Sequence, residues 1–253
     1  MLRTRVIPAL LLRNESLVKT VRFGKFTYVG DPANTVRIFN ELEVDELLFL
    51  DITASLENRN PNLKVLADIA DECFMPLSYG GGIRSLDQAR AVFEIGFEKL
   101  AINTQAAENP ALIGEIAAHY GSQAVIASID VKKGLFGRKT VHTLGGRRNT
   151  RRDPVSWALE VEKMGAGEIL LTSIDHEGTW GGFDLELVRR VTDAVSIPVI
   201  AHGGAGTTEH VEQMIKQANA SAVALGSMVV FQKKDMGVLV NFPDELRNVV
   251  ERY

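Results

Sequence analysis

Eight short apolar runs alternate with eight amphipathic stretches along 253 residues, and together they predict a (β/α)8 barrel. Several of the runs are apolar almost throughout, as parallel strands buried on both faces should be. The two halves of the chain also resemble each other at an offset of 122 positions, which closes naturally as four units plus four. A doubly wound open sheet is the alternative that this repeat disfavours. No break in composition divides the chain, so a single barrel domain over 1–253 is expected, with half-barrels at about 1–120 and 121–253.

The strand candidates are Val6 to Leu10, Glu46 to Asp51, Met75 to Ser78 and Lys99 to Asn103, then Ala124 to Asp130, Glu168 to Thr172, Pro198 to His202 and Ala222 to Leu225. Between them, helical spacing covers Asp31 to Leu42, Asn62 to Asp71, Ser85 to Ile95 and Asn109 to His119. The later helical stretches are Pro154 to Met164, Asp184 to Ala194, Thr208 to Asn219 and Asp244 to Arg252.

The repeat is sharpest at two glycine-rich stretches, Ser78-Tyr79-Gly80-Gly81-Gly82-Ile83 and Ala201-His202-Gly203-Gly204-Ala205-Gly206. Gly81 and Gly82 lie 122 positions before Gly203 and Gly204, and Glu46-Leu47-Leu48-Phe49 lies at the same offset from Glu168-Ile169-Leu170-Leu171. The period is too long for a solenoid unit of roughly 20–50 residues, so it reads as duplication of half a domain. The plainer reading is chance similarity between two βα units. Glycines at a strand-to-helix junction let backbone N–H groups approach an anion, and the helix dipole favours negative charge there. Two such junctions suggest a ligand with a phosphate at each end.

A net charge of −4 leaves no basic footprint for nucleic acid. One cysteine, Cys73, excludes an intrachain disulfide and reads as a small core residue. No apolar run is long enough to span a membrane, and Met1 to Arg5 lead straight into a strand, so a cytoplasmic protein without a leader is expected.

Barrel chemistry sits where strands end, which selects Leu11, Asp51, Gly81, Asn103, Asp130, Ser173, Gly203 and Ser227 as the ring around the mouth. Asp130 is the candidate general acid or base, with a loop-stabilising carboxylate as the plainer reading. Asp51 and Asp175 could orient a ligand hydroxyl or cap a turn. Phosphate contacts fall into two groups: Gly81, Gly82, Asn103 and Thr104, and Gly178, Gly203, Gly204, Gly226 and Ser227. The cluster Arg147, Arg148, Arg151 and Arg152 is either a solvated loop or one that closes over a phosphorylated ligand. His119, His142, His176, His202 and His210 lack metal-ligand spacing, so neither a metal nor a cofactor is expected.

Over nearly its whole length the chain resembles HisF, the cyclase subunit family of imidazole glycerol phosphate synthase. The match is carried by Arg5-Val6-Ile7-Pro8, Gly30-Asp31-Pro32, Asp45 to Ser55, Gly80-Gly81-Gly82-Ile83, Ile102-Asn103-Thr104, Glu108-Asn109-Pro110, Gly121 to Val125, Gly165 to Asp175 and Gly203 to Gly206. The resemblance implies a half-barrel duplication, two phosphate sites and a HisH-like glutaminase partner. Ammonia from that partner would enter the bottom of the barrel past gate charges at Arg5, Glu46, Lys99 and Glu168. Ordinary ion pairing is the alternative for those four. An apolar interior beyond the gate would suit neutral ammonia and reject ammonium. Lys19 stands where the family has a mobile lysine in the first loop.

The departures matter as much. The family's two catalytic aspartates end the first and fifth strands; Asp130 fills the second place, and Leu11 stands in the first. Leucine transfers no proton, and a general acid–base group is worth about 10²–10⁴ in rate. Glu177 replaces a usual aspartate before Gly178. Three functions follow: a glutamine amidotransferase subunit passing ammonia to another acceptor, as in amidation of surface-polysaccharide sugars; a working cyclase relying on Asp130 alone; or a scaffold that activates a partner. A sugar isomerase of the related HisA type is disfavoured, because that chemistry also wants a carboxylate at position 11.

Overall fold

The structure, a computed structural model, describes residues 4–252. Met1 to Arg3, read above as the lead-in to the first strand, lie outside the described residues. Twelve strands occur among the described residues: β1 (Arg5–Arg13), β2 (Ser16–Thr20), β3 (Phe26–Gly30), β4 (Leu47–Asp51), β5 (Leu77–Gly80), β6 (Lys99–Ile102), β7 (Val125–Lys133), β8 (Lys139–Thr143), β9 (Arg148–Asn149), β10 (Glu168–Ser173), β11 (Val199–His202) and β12 (Ala222–Leu225). Eight of them pair in parallel in the order β1-β4-β5-β6-β7-β10-β11-β12, and β12 returns to β1. The result is a closed (β/α)8 barrel, as the alternation predicts.

Helices fill the connections: α1 (Pro32–Glu41), α2 (Leu63–Glu72), α3 (Leu86–Ile95), α4 (Thr104–Glu108), α5 (Ala111–Tyr120), α6 (Pro154–Lys163), α7 (Leu185–Thr192), α8 (Thr208–Ala218), α9 (Ser227–Val230) and α10 (Asp244–Arg252). Their starts are written locally. Asp31, Asn62, Ser85, Asp153, Asp184 and Thr207 each accept a hydrogen bond from an N–H of the first turn, and Pro32 and Pro154 open α1 and α6.

Period-2 alternation along the strands separates two cores. Val6, Leu10, Leu47, Phe49, Ile169 and Leu171 face outward into the layer between sheet and helices. The smaller set Ile7, Ala9, Leu48, Ala101, Ile126, Leu170, Ile200, Ala222 and Ala224 packs inside the barrel.

Two β-hairpin devices depart from the expected pattern. β1 and β7 run past the barrel rim, and each pairs with an antiparallel partner, β2 and β8 respectively. The first connection, expected as a loop carrying Lys19, is therefore a ribbon of β2 and β3, and Lys19 lies in β2 and is buried. Extending a strand beyond the rim satisfies its backbone groups by pairing, which a free loop would leave to water.

Candidate functional site at the barrel mouth

A cavity of about 430 Å³ opens at the C-terminal ends of the strands, lined among others by Leu11, Asp51, Gly81, Asn103, Asp130 and His202. The hairpin ribbon contributes Thr20, Phe23 and Phe26 to its wall. Of the expected ring, Ser173, Gly203 and Ser227 do not line this cavity.

Asp130 faces inward from β7 and is buried. Loss of water pushes its carboxyl up to about 7; the charge of Glu177 adds to the rise, and the Thr172 hydroxyl opposes it by hydrogen bonding to the carboxyl. The Asn103 amide donates to the Ser128 carbonyl (3.0 Å) and to Asp130 Oδ2 (3.3 Å). Asn103, expected as a phosphate donor, thus holds the Asp130 side chain. His202 is also buried, and its imidazole is pushed down to about 4 by desolvation, with the Lys19 cation assisting and Glu177 opposing. Its Nδ1 lies 3.1 Å from Thr172 Oγ1. Lys19 Nζ donates to Glu177 Oε1, a pair with almost no exposure.

The other strand-end carboxylates hold backbone. Asp51 Oδ1 accepts from the N–H groups of Thr53 (3.0 Å) and Ala54 (2.9 Å), and Asp175 Oδ2 accepts from Lys133 N–H (2.7 Å). Asp51 thus caps the turn that follows it, one of the two roles open to it from sequence, whereas Asp175 ties down the end of β7.

The structure distributes the phosphate-site candidates over two places. Gly81, Gly82, Asn103 and Thr104 reach the cavity. Gly178, Gly203, Gly204, Gly226, Ser227 and Lys19 do not line it: the Gly182 N–H donates to the Gly204 carbonyl (2.8 Å), and the Lys19 side chain lies directly over Gly226. Gly81 at φ +130° and Gly203 at φ +94° sit in backbone that favours glycine, and an added Cβ would fall 2.6 Å from the Asp51 carbonyl and 2.8 Å from that of Ser173. The tight turns need these glycines whatever binds nearby. The dipole argument shifts as well. Helices α3 and α8, which follow the glycines, are capped by their own Ser85 and Thr207 side chains. By contrast α4 and α9 begin at Asn103 and Gly226 with no side-chain cap.

The basic cluster also divides. Arg147 lines the cavity, Arg148 pairs with Glu108 at 2.7 Å, and Arg152 stacks on Trp157 at 4.0 Å. Cys73 is half-buried at the end of α2, its thiol directed at the Met75 carbonyl, rather than a full core residue. The signal missed from sequence is the pair Thr172 and His202: each was visible at a strand end, but only strand register reveals that they face one cavity, which Glu177 also lines.

At the opposite end of the barrel, the four expected gate residues meet. Arg5 donates to Glu46 Oε2 (2.8 Å) and Glu168 Oε1 (2.9 Å), and Lys99 Nζ lies 3.3 Å from both carboxylates. Ser78 Oγ adds a bond to Glu46 at 3.0 Å. Charges alternate around a closed, neutral ring beneath the apolar barrel interior.

Parallel barrel, inward polar top layer and cavity at the strand ends define a (β/α)8 barrel of the enzyme type. The family model described as histidine biosynthesis protein matches residues 5–235, and the chain belongs to that family as a HisF-like member. It is 49% identical over 96% of its length to a Pseudomonas aeruginosa protein, covering 97% of that protein, with the provisional name imidazole glycerol phosphate synthase subunit hisF2. It is 43% identical to a Leptospira borgpetersenii protein provisionally named imidazole glycerol phosphate synthase subunit HisF, covering 96% of each chain. A Vibrio vulnificus protein provisionally named subunit hisF3 is 42% identical over 96% of this chain and 94% of its own. Among the described residues, no helix is long and apolar enough to cross a membrane.

Proposed function

We propose that this chain is the synthase subunit of a glutamine amidotransferase, taking ammonia from a HisH-like glutaminase at the bottom of the barrel and delivering it at the mouth. One observation carries the reading: the closed ring of Arg5, Glu46, Lys99 and Glu168 lies below an interior of Ile, Leu and Ala side chains. Four of those interior residues are alanine, at positions 9, 101, 222 and 224, which keeps the axis narrow-walled and apolar. Such a path favours neutral ammonia, because an unpaired ammonium has no partner there.

At the mouth, Asp130 is the proton-transferring carboxyl, and burial holds it near the pH at which acid–base catalysis works best. The first phosphate group of the ligand binds at Gly81, Gly82 and Thr104; the second binds at Gly203, Gly204, Gly226 and Ser227 once Lys19 and the segment bearing Gly178 rearrange. The similar closures of Gly81 on Asp51 and Gly203 on Ser173, again 122 positions apart, support duplication of a half-barrel. Leu11 removes the first of the two carboxyls of histidine-pathway cyclisation, so the nitrogen goes to another acceptor; a surface-polysaccharide sugar, processed in the cytoplasm, is the class that the resemblance implies.

The test is to mix the chain with its glutaminase and measure glutamine hydrolysis. Stimulation of at least tenfold, weakened by Lys99→Met, is expected; no stimulation overturns the reading. The second reading, a histidine-pathway cyclase, is favoured by Asp130 facing the same cavity as Gly81 and Gly82. Turnover of phosphoribulosyl-formimino-AICAR phosphate with saturating ammonium would establish it. On the first reading the unmodified chain is inactive in this assay.

A further inference from the structure

We propose that Asp130, Thr172 and His202 form a proton relay across three adjacent strands, with His202 Nε2 as a second acid–base terminus in the barrel mouth. The proposal rests on the function above only in taking Asp130 as the mouth's proton-transferring carboxyl. Thr172 on β10 is the register partner of Asp130 on β7 and of His202 on β11. All three face the cavity. His202 Nδ1 lies 3.1 Å from Thr172 Oγ1, and strand register sets the Thr172 side chain beside the Asp130 carboxyl, which it biases toward the ionised form.

A hydroxyl has one proton and two lone pairs, so it can accept from one neighbour while donating to the other. With Asp130 ionised, Thr172 donates to the carboxylate and accepts from Nδ1–H, leaving a lone pair on Nε2. With Asp130 protonated, the carboxyl donates to Oγ1, the hydroxyl donates to Nδ1, and Nε2 carries the hydrogen. A proton taken from a ligand therefore forms the Nε2–H bond while the Nδ1–H proton passes to Oγ1 and the hydroxyl proton passes to Asp130. The imidazole is neutral before and after, the negative charge moves from Asp130 to the ligand, and no co-reactant is needed. The return sequence delivers a proton from Nε2.

The surroundings keep the imidazole in the form that this relay requires. An imidazolium would donate at both nitrogens and block it. Lys19 from β2 disfavours the cation, Glu177 after β10 favours it, and these two charges engage each other. Burial then decides for the neutral ring. His202 thus supplies a proton-transfer terminus to a mouth that β1 lines with Leu11.

The test is histidine ¹⁵N NMR of the full chain from pH 5.5 to 8.5, with His202→Gln assigning one of five histidines. His202 should stay neutral throughout, with the Nδ1–H tautomer dominant at high pH and Nε2–H gaining below a midpoint near 7, where Asp130 protonates. Asp130→Asn, which keeps the side-chain shape, should abolish the pH dependence; Thr172→Val should also abolish it, and Thr172→Ser should restore it. A single tautomer at every pH, an imidazolium forming within the range, or a midpoint that survives Asp130→Asn would each overturn the relay. None of these readouts depends on glutaminase stimulation, so the relay and the amidotransferase reading fail separately.

Discussion

Asp130 and His202 are displaced in opposite directions by the same cause, because burial disfavours the charged form of either group. Asp130 moves from 3.8 to about 7, so the folded state holds an extra proton in that window and its stability falls as pH rises. His202 moves from 6.5 to about 4, so the folded state lacks a proton there and its stability falls as pH drops. In the unmodified chain the two slopes largely cancel where the windows overlap. Removing one partner should expose the other. Relative to the unmodified chain, His202→Gln should lose about 2 kcal/mol between pH 5 and pH 7, and Asp130→Asn should gain about 2 kcal/mol, in urea unfolding. Parallel pH profiles for the three proteins would refute the assignment. On the cyclase reading, Asp130→Asn should cost about 10²–10⁴ in turnover, the usual worth of a general acid–base group, measured as kcat for phosphoribulosyl-formimino-AICAR phosphate with ammonium as nitrogen donor.

The secondary-structure elements separate what glycine does at a turn from what it does at a helix end. Gly81 combines positive φ with a backbone carbonyl in the place of its missing Cβ, whereas Gly96, at φ +117° after α3, has open space around it. Gly96→Ala should therefore cost about 1 kcal/mol, and Gly81→Ala at least about 3 kcal/mol, in chemical denaturation. A similar cost at both sites would show that φ alone matters. At the tip of the β7–β8 hairpin, Leu135 and Phe136 are fully exposed, so replacing both by serine should leave stability within about 0.5 kcal/mol. These hairpins were the least legible elements. Strands β8 and β9 carry Lys139, Thr140, His142, Arg148 and Asn149, which show no apolar alternation, and their pairing is set by the overhang of β7. The barrel strands were legible to within two or three residues, because burial on both faces writes itself as an apolar run. Helix starts were equally plain, since Asp31, Ser85, Asp153 and Thr207 act on N–H groups only two or three residues away.

Across the whole molecule, a neutral ring of charge closes one end of the barrel and a buried acid–base layer lines the other, with an apolar interior between them. The ring's balance is testable. Lys99→Met leaves the two mostly buried carboxylates, Glu46 and Glu168, to Arg5 alone and should cost about 3 kcal/mol. Adding Glu168→Gln in the same chain restores neutrality and should recover part of that loss, giving a clear coupling in a double-mutant cycle. Additive losses would mean that the four residues do not act as one ring. By itself, the sequence determined the eightfold alternation, the capped helices, the glycine turns, the family resemblance and the replacement of a carboxylate by Leu11. Each of these is a matter of residue type or of neighbours a few positions apart. Only the tertiary structure decided that Asn103 holds Asp130, that Lys19 is buried against Glu177, and that Thr172 stands between Asp130 and His202. Those contacts depend on strand register and barrel closure, which join residues 27 to 158 positions apart, and no local pattern along the chain encodes which side chains then share a layer.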